Sequence, residues 1–371
     1  MVRRHTAQVR GRMVAGSTVA PVLVSVLVGP GTRAAQGQDR VGPEVIEITS
    51  GVGAVLQAVS PVSDSVVWMS GHEGVIIRTL DAGDRWERVN APSGDSLQFR
   101  DVHGFSAAHA VALSAGSGPA SRIYRTADGG RSWELAFAMD HPDGFLDCLD
   151  FWDDGRGFAY GDSFDGVPYI LVTADGGATW ERAPRDGLPA ANEGEGGFAA
   201  SGTCARAVGD GLGWIGTGAG GSARVLRTSD YGATWTATDV DIARGPSAGV
   251  YTLAVDPAVA SGTSGWVLAL GGDYAADAVL ANVAVSSDLG GSWRHGEDAP
   301  VPGAIYGSAI AHDETGLTAV AVSPAGAAFT TTLGMSWTSL PGVSAWAVEA
   351  APTGTMFWAA GAEGRILLIA F

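Results

Sequence analysis

The chain has 371 residues, 46% hydrophobic and only 16% charged, with 55 glycines and a formal net charge of −17. That apolar content excludes a globally disordered chain, and the glycine count suits an all-β fold rich in tight turns, because glycine supplies the positive φ such turns need. Every basic residue is Arg; residues 1–35 hold five of them and no acid, so the rest of the chain sets 22 − 5 = 17 basic against 39 acidic residues, a balance of −22 that disfavours nucleic acid and anionic membrane surfaces as partners.

Read from its start, the chain opens with a basic region (Arg3, Arg4, Arg10, Arg12), an apolar run from Val14 to Val28 and a small-residue cleavage signal at Arg33-Ala34-Ala35-Gln36. This pattern predicts an export leader or N-terminal anchor over 1–35, starting at Met1 or Met13, then a short linker over 36–42. The run is too short and too Pro-interrupted for a comfortable membrane span. The expected location is periplasmic or extracellular, tethered if the leader is retained. Val45–Ile48 then reads as a strand with no partner nearby.

From Arg78 onward one pattern recurs: RTLDAGDRWE (78–87), RTADGGRSWE (125–134), VTADGGATWE (172–181), RTSDYGATWT (227–236), VSSDLGGSWR (285–294) and a worn TTTLGMSWT (330–338). The tryptophans are Trp86, Trp133, Trp180, Trp235, Trp293 and Trp337, spaced by 47, 47, 55, 58 and 44. Such a period with several short strands per unit predicts a β-propeller. In the third unit the strands read Phe145–Trp152, Gly157–Gly161 and Tyr169–Thr173, and a short fourth starts at Trp180. The motif spans the turn between third and fourth strands. Asp81, Asp128, Asp175, Asp230 and Asp288 accept backbone N–H groups within that turn; Gly83, Gly130, Gly177, Gly232, Gly290 and Gly334 allow its left-handed backbone; the Trp rings pack between units. These are structural roles, since every copy serves the same turn.

After Trp337 the chain makes only three more strands, within Ala345–Ala350, Met356–Gly361 and Arg365–Phe371. Pairing Val45–Ile48 with them completes a seventh blade and leaves no open edge. The matching strings Trp68-Met-Ser-Gly-His-Glu-Gly and Trp358-Ala-Ala-Gly-Ala-Glu-Gly support counting this piece as a unit. The expected domain is one monomeric all-β, seven-bladed propeller of four-stranded blades over 43–371, with six or eight blades as the alternatives.

With these motifs the sequence resembles the Asp-box, or BNR, repeats of sialidase-like propellers, and most of all the bacterial relatives of the photosystem II stability and assembly factor family (Ycf48/HCF136-like). The resemblance spans roughly 43–371. It implies a non-catalytic binding or assembly module acting on a protein partner in the cell envelope.

The long inserts fall on one face, where the second-to-third-strand and blade-to-blade loops meet: Pro184–Gly202, Gly161–Gly166 and Gly271–Ala275, with Gln98–Asp101 entering an inner strand from the same side. Loops on a rigid scaffold collect function, so Arg100, Asp101, Asp162, Asp165, Glu193, Glu195, Asp273 and Tyr274 are the candidate binding residues. The alternative is a glycan partner and a glycoside hydrolase using Asp162 and Glu195 as its carboxyl pair. The sialidase pattern is missing: there is no Arg-Ile-Pro motif, and Arg100 and Arg206 cannot be extended to an arginine triad. GTGAGG at 216–221 lacks the strand–helix context of a dinucleotide site and reads as a hairpin loop; GPSAG at 245–249 lacks a nucleophile elbow. The His residues show no ligand spacing, His103 and His109 included, so no metal and no cofactor is expected. Cys148 and Cys204 each stand nine residues before a glycine (Gly157, Gly213) that opens a second strand, so they occupy matching positions on neighbouring inner strands. They can pair if those strands approach within about 7 Å; two buried thiols are the default expectation.

Overall fold

The computed structural model describes residues 42–89, 92, 96–313, 316–354 and 356–371. The leader and nearly all of the linker lie outside these residues. Seven four-stranded antiparallel sheets follow one another around a ring. Blade 1 is built from Leu56–Pro61, Val67–Gly71, Ile76–Thr79 and Glu87–Arg88. Blades 2 to 7 open with inner strands Phe99–Gly104, Leu146–Phe151, Ala205–Val208, Ala248–Val255, Gly307–Asp313 and Ala347–Ala350. Blade 7 takes its outermost strand, Glu44–Thr49, from the start of the domain, with Glu44 opposite Ala370 and Thr49 opposite Arg365. The unpartnered strand of the sequence reading thus closes the ring, and no blade is left with three strands.

The recurring turn forms the same hydrogen-bond knot in each intact copy. In blade 2, Thr126 Oγ1 donates to Asp128 Oδ1 at 3.0 Å and accepts from the Gly130 N–H at 2.9 Å, while Asp128 Oδ1 accepts from the Ser132 N–H at 3.0 Å. Gly130 adopts φ +79°, a left-handed backbone that explains the glycine. Hydrogen bonds, first those from the Ser132 side chain, hold the Asp128 carboxyl down at about 2. Where Thr332 replaces the Asp, its hydroxyl meets Ser336 Oγ at 2.9 Å and the Gly334 N–H still reaches Thr330 Oγ1 at 3.2 Å. The turn therefore survives without a carboxylate.

Large apolar residues fill the seams between blades. Trp68, Trp214 and Trp358, one residue into equivalent stretches of the second strands, are fully buried, each contributing at least about 2–3 kcal/mol through burial. The indole N–H of Trp68 donates to Ser106 O in blade 2 at 2.9 Å, and that of Trp214 to Leu289 O in blade 5 at 2.8 Å. Trp86 packs edge-on against Trp358, 6.0 Å between centroids, and so seals the seam between the first and last blades. Blades 3 and 4 are joined covalently: Cys148 and Cys204 form a disulfide, with Cα atoms 6.0 Å apart. The default expectation of two free thiols is corrected here, because the inner strands of neighbouring blades approach closely enough to be bridged.

Candidate functional site

Each inner strand starts on the face that carries the long inserts and runs down the central channel. Near the mouth the register slips by one residue in blades 1, 2, 3 and 5, leaving Gln57, Arg100, Asp147 and Tyr251 as the extra residue of a β-bulge. Bulges turn a side chain out of the regular alternation. Tyr306, whose N–H donates to Val322 O, and Trp346, whose N–H donates to Ala360 O, stand at the equivalent place just before the inner strands of blades 6 and 7. In blade 4 the place falls to Thr203, since Gly216 N–H donates to Cys204 O. The mouth is therefore ringed by one residue per blade. Four consecutive blades supply polar groups and three supply aromatic rings.

The aromatic half is extended by Phe198 from the Pro184–Gly202 insert. Phe198 stacks on Tyr251 with centroids 3.8 Å apart and planes 8° from parallel; Tyr251 faces Tyr306 at 5.7 Å and 14°; Trp346 meets Tyr306 edge-on at 5.2 Å. His72 closes the arc 6.1 Å from Trp346 and shares a 2.6 Å hydrogen bond with Gln57 Oε1. Such contacts, each worth about 0.5–1.5 kcal/mol, fix the crescent before any ligand arrives. Tyr251 is buried, whereas Phe198, Tyr306 and Trp346 are half-buried and present ring surface at the mouth.

The insert also caps the polar half. Ala199 O accepts from Gln57 Nε2 at 2.9 Å and from Arg100 Nη1 at 3.3 Å, and Asp162 Oδ1 accepts from the Gly197 N–H at 3.0 Å. Under Gly197 lies Asp147, 1% exposed, whose Oδ2 has no hydrogen-bond partner among the described residues. A Cβ on Gly197 would sit 2.5 Å from that oxygen, so only glycine lets the insert descend this far. Burial, and then the neighbouring Asp162, push the Asp147 carboxyl well above its ordinary range, with Arg100 opposing. A carboxyl whose folded pKa exceeds its unfolded one adds stability at low pH and loses it as pH rises through the folded value. Asp147→Asn is accordingly expected to leave the unfolding midpoint nearly unchanged at pH 3, below the unfolded carboxyl's pKa, and to add about 1–3 kcal/mol at pH 8. Urea denaturation at the two pH values checks this; an equal loss at both would instead make Asp147 the ionised partner of Arg100.

Lower in the channel a polar cavity of about 170 Å³ is lined by Asp101, His103, Asp150, Arg206 and Glu349. Arg206 crosses it. Its Nη1 meets Glu349 Oε1 of blade 7 at 2.5 Å, its Nε donates to Leu253 O at 2.8 Å and its Nη2 to Ser308 O at 2.9 Å. One guanidinium thereby ties together the inner strands of four blades. Asp150 braces the same level, accepting from the Ala207 N–H at 2.7 Å and facing His103 Nδ1 at 3.2 Å.

The candidate residues from the sequence divide into three groups. Asp101 and Glu195, expected on an accessible loop surface, are 5% and 2% exposed. Asp101 Oδ2 accepts from the Leu149 N–H at 2.7 Å, and Glu195 is clasped by Arg224 (Nε to Oε1 3.0 Å) and by Thr217 Oγ1 at 2.6 Å. Both are corrected to internal supports: their lone pairs are taken up by the chain itself. Arg100 and Asp162 are half-buried beneath the insert, as described. Asp165 and Glu193 are exposed at the rim, Asp273 is half-buried and Tyr274 is 58% exposed. The aromatic crescent was not anticipated from the sequence.

Several solved structures share this fold. Ycf48 bound to a D1 peptide superposes with a TM-score of 0.59 at 13% identity, covering 90% of this chain and 96% of that one. Ycf48 from Cyanidioschyzon merolae gives 0.58 at 16%, covering 88% and 98%. The WD40 β-propeller domain of Doa1 gives 0.54 at 13%, covering 88% and 97%. No protein-family model and no curated protein matches the sequence. At these identities the likeness establishes the propeller fold.

Proposed function

We propose that this protein is a non-catalytic binding module that holds a protein partner on the insert-bearing face, over the aromatic crescent. The observation that carries this reading is the preformed arc of Phe198, Tyr251, Tyr306 and Trp346, which leaves half-buried ring surface at the mouth of a channel braced shut from below. Rigid aromatic surface ringed by polar groups is the composition of interface hot spots. A propeller of the same fold is seen holding a peptide, which supports the partner class. The hydrolase alternative loses its support, because Glu195 of its carboxyl pair is buried and bound by Arg224. Export to the cell envelope belongs to the same proposal; the leader-like start and the Cys148–Cys204 disulfide, a bond suited to oxidising compartments, both favour it.

The test is capture of partners from the source cell envelope on immobilised residues 36–371, compared with the Trp346→Ala form. Truncating an aromatic hot spot costs about 2 kcal/mol or more, so specific capture should fall at least about thirtyfold in affinity. Capture unchanged by this substitution, with Tyr306→Ala equally silent, would remove the crescent from the interface. Loss of native thermal stability in Trp346→Ala is controlled by the same comparison in Tyr306→Ala.

A further inference from the structure

Beside the crescent, on the same face, a cleft of about 140 Å³ opens between the blade 5 loop at 273–281 and the blade 6 loops at 302–306 and 323–325. Its walls are the rings of Tyr274, Tyr306, Pro302 and Pro324, with Asp277 at the rim. Tyr274 is 58% exposed, Pro302, Pro324 and Asp277 are exposed, and Tyr306 is half-buried. The cleft is held open by backbone bonds: Gly303 N–H donates to Ala278 O at 3.3 Å, Ile305 N–H to Gly271 O at 2.9 Å and Tyr274 N–H to Ser247 O at 3.2 Å. No Arg lines it, and Asp277 forms no ion pair among the described residues.

These walls select for a particular ligand chemistry. Two flat tyrosine rings offer stacking surface and two puckered proline rings add apolar surface; the prolines have no backbone N–H to donate, and the N–H groups of Ala276, Gly303, Tyr306 and Ala325 are already bonded within the chain. A β-strand ligand would leave its carbonyls unpaired here. A polyproline II segment has no internal hydrogen bonds, keeps its backbone solvated and presents proline rings that lie flat on aromatic side chains. The rim carboxylate of Asp277 and the face of Tyr274 both favour a cation beside those prolines, and the −22 balance of residues 36–371 works in the same direction at longer range. We infer that the Tyr274–Tyr306 cleft takes an extended, proline-containing segment of a protein partner with a basic residue next to its prolines. This inference rests on the protein-binding reading above and names the chemistry of what is bound.

The experiment is a selection from a library of random displayed decapeptides on the full chain, followed by anisotropy titration of the enriched peptides. Enrichment of proline with Arg or Lys two to four residues away is expected. Binding should weaken at least tenfold in Tyr274→Ala. Asp277→Asn should weaken the cationic peptide several-fold, yet leave its Arg→Ala counterpart unchanged. Tyr274 and Asp277 are exposed loop residues, so both variants keep the fold, and unchanged thermal unfolding verifies it. A selection that enriches nothing, enriches sequences without proline, or yields peptides that bind Tyr274→Ala as tightly overturns the inference, as does a glycan array in which sugars rather than peptides depend on Tyr274. The two readings fail separately. Envelope capture lost in Trp346→Ala but intact in Tyr274→Ala and Asp277→Asn sinks the cleft and leaves the crescent standing; capture indifferent to all three sinks both.

Discussion

Arg206→Ala is expected to lower the stability of the propeller by about 3 kcal/mol, the low end of the cost of leaving one side of a buried ion pair uncompensated, since Arg206 and Glu349 are half-buried. Arg206 is the cation of the lower channel, and its side chain reaches Glu349, Leu253 O and Ser308 O at once. Removing it leaves Glu349, Asp150 and Asp101 lining one small cavity with His103 as the one basic side chain beside them. Burial already pushes the Glu349 carboxyl up despite Arg206, and Asp101 is pushed well up by burial as well. Deleting the guanidinium raises them further. The sign with pH follows from linkage. At low pH the carboxyls are protonated whether or not the chain is folded, and the variant loses little beyond its hydrogen bonds. As pH rises, the unfolded chain ionises freely while the folded chain does so only at a cost, so the deficit of Arg206→Ala grows between pH 5 and pH 8. Chemical denaturation at both values reads this out. Adding Glu349→Gln to Arg206→Ala should recover part of the loss at pH 8, a positive coupling in a double-mutant cycle. A variant that matches the parent at pH 8 would mean that water, not Arg206, satisfies the cavity.

The fold was legible because its signal is repeated. Six copies of one turn, each needing a Thr or Ser hydroxyl, a compact acceptor, a left-handed glycine and an inter-blade Trp, announce themselves however far the rest of the blade drifts. Even the strand Val45–Ile48 could be assigned by counting what blade 7 lacked. The channel mouth has no such signal. Its seven positions hold Gln57, Arg100, Asp147, Thr203, Tyr251, Tyr306 and Trp346, seven residues of six types. They share a place in the register and nothing in chemistry. A trace exists in blades 1 to 4, where each stands ten residues before the second-strand residue that pairs with the turn's Thr: Gln57 and Val67, Arg100 and Ala110, Asp147 and Gly157, Thr203 and Gly213. In blades 5 to 7 the first hairpin lengthens and the offset is lost. Asp101 and Glu195 failed as surface residues for a related reason. Carboxylates in loops are mostly solvated, and only the tertiary approach of Arg224 to Glu195, and of the Leu149 N–H to Asp101, makes burial affordable.

Replacing both Cys148 and Cys204 with Ala is expected to cost about 4 kcal/mol, the chain-entropy value for a closed loop of this length; the two cysteines are separated by 56 residues. The loop encloses most of blade 3, its turn and the whole insert, so its release loosens the unfolded chain over a long span. The native state loses less. Both side chains are buried at 0% and 1% exposure among Phe158, Tyr160, Ile170 and Leu226, and Ala keeps that seam apolar. The effect therefore belongs mainly to the unfolded ensemble, which expands, and the urea m-value should rise as the midpoint falls. A purely local defect predicts a lower midpoint at constant m. Reductant added to the folded parent should act slowly, since a bond this buried becomes accessible only when the inner strands of blades 3 and 4 part. Equal midpoints for the parent and the double variant would show that the unfolded chain gains nothing from the loop's release. Local consequences should concentrate on blade 4, whose inner strand is regular over Ala205–Val208 alone because the stretch above it is given over to the insert. With the disulfide gone, hydrogen exchange should quicken at Gly216 N–H, which is bonded to Cys204 O, and at Gly197 N–H above Asp162, before it quickens anywhere in blades 6 and 7. The floor of the proposed binding face would then be softened from one side, although no residue that touches a partner has been changed.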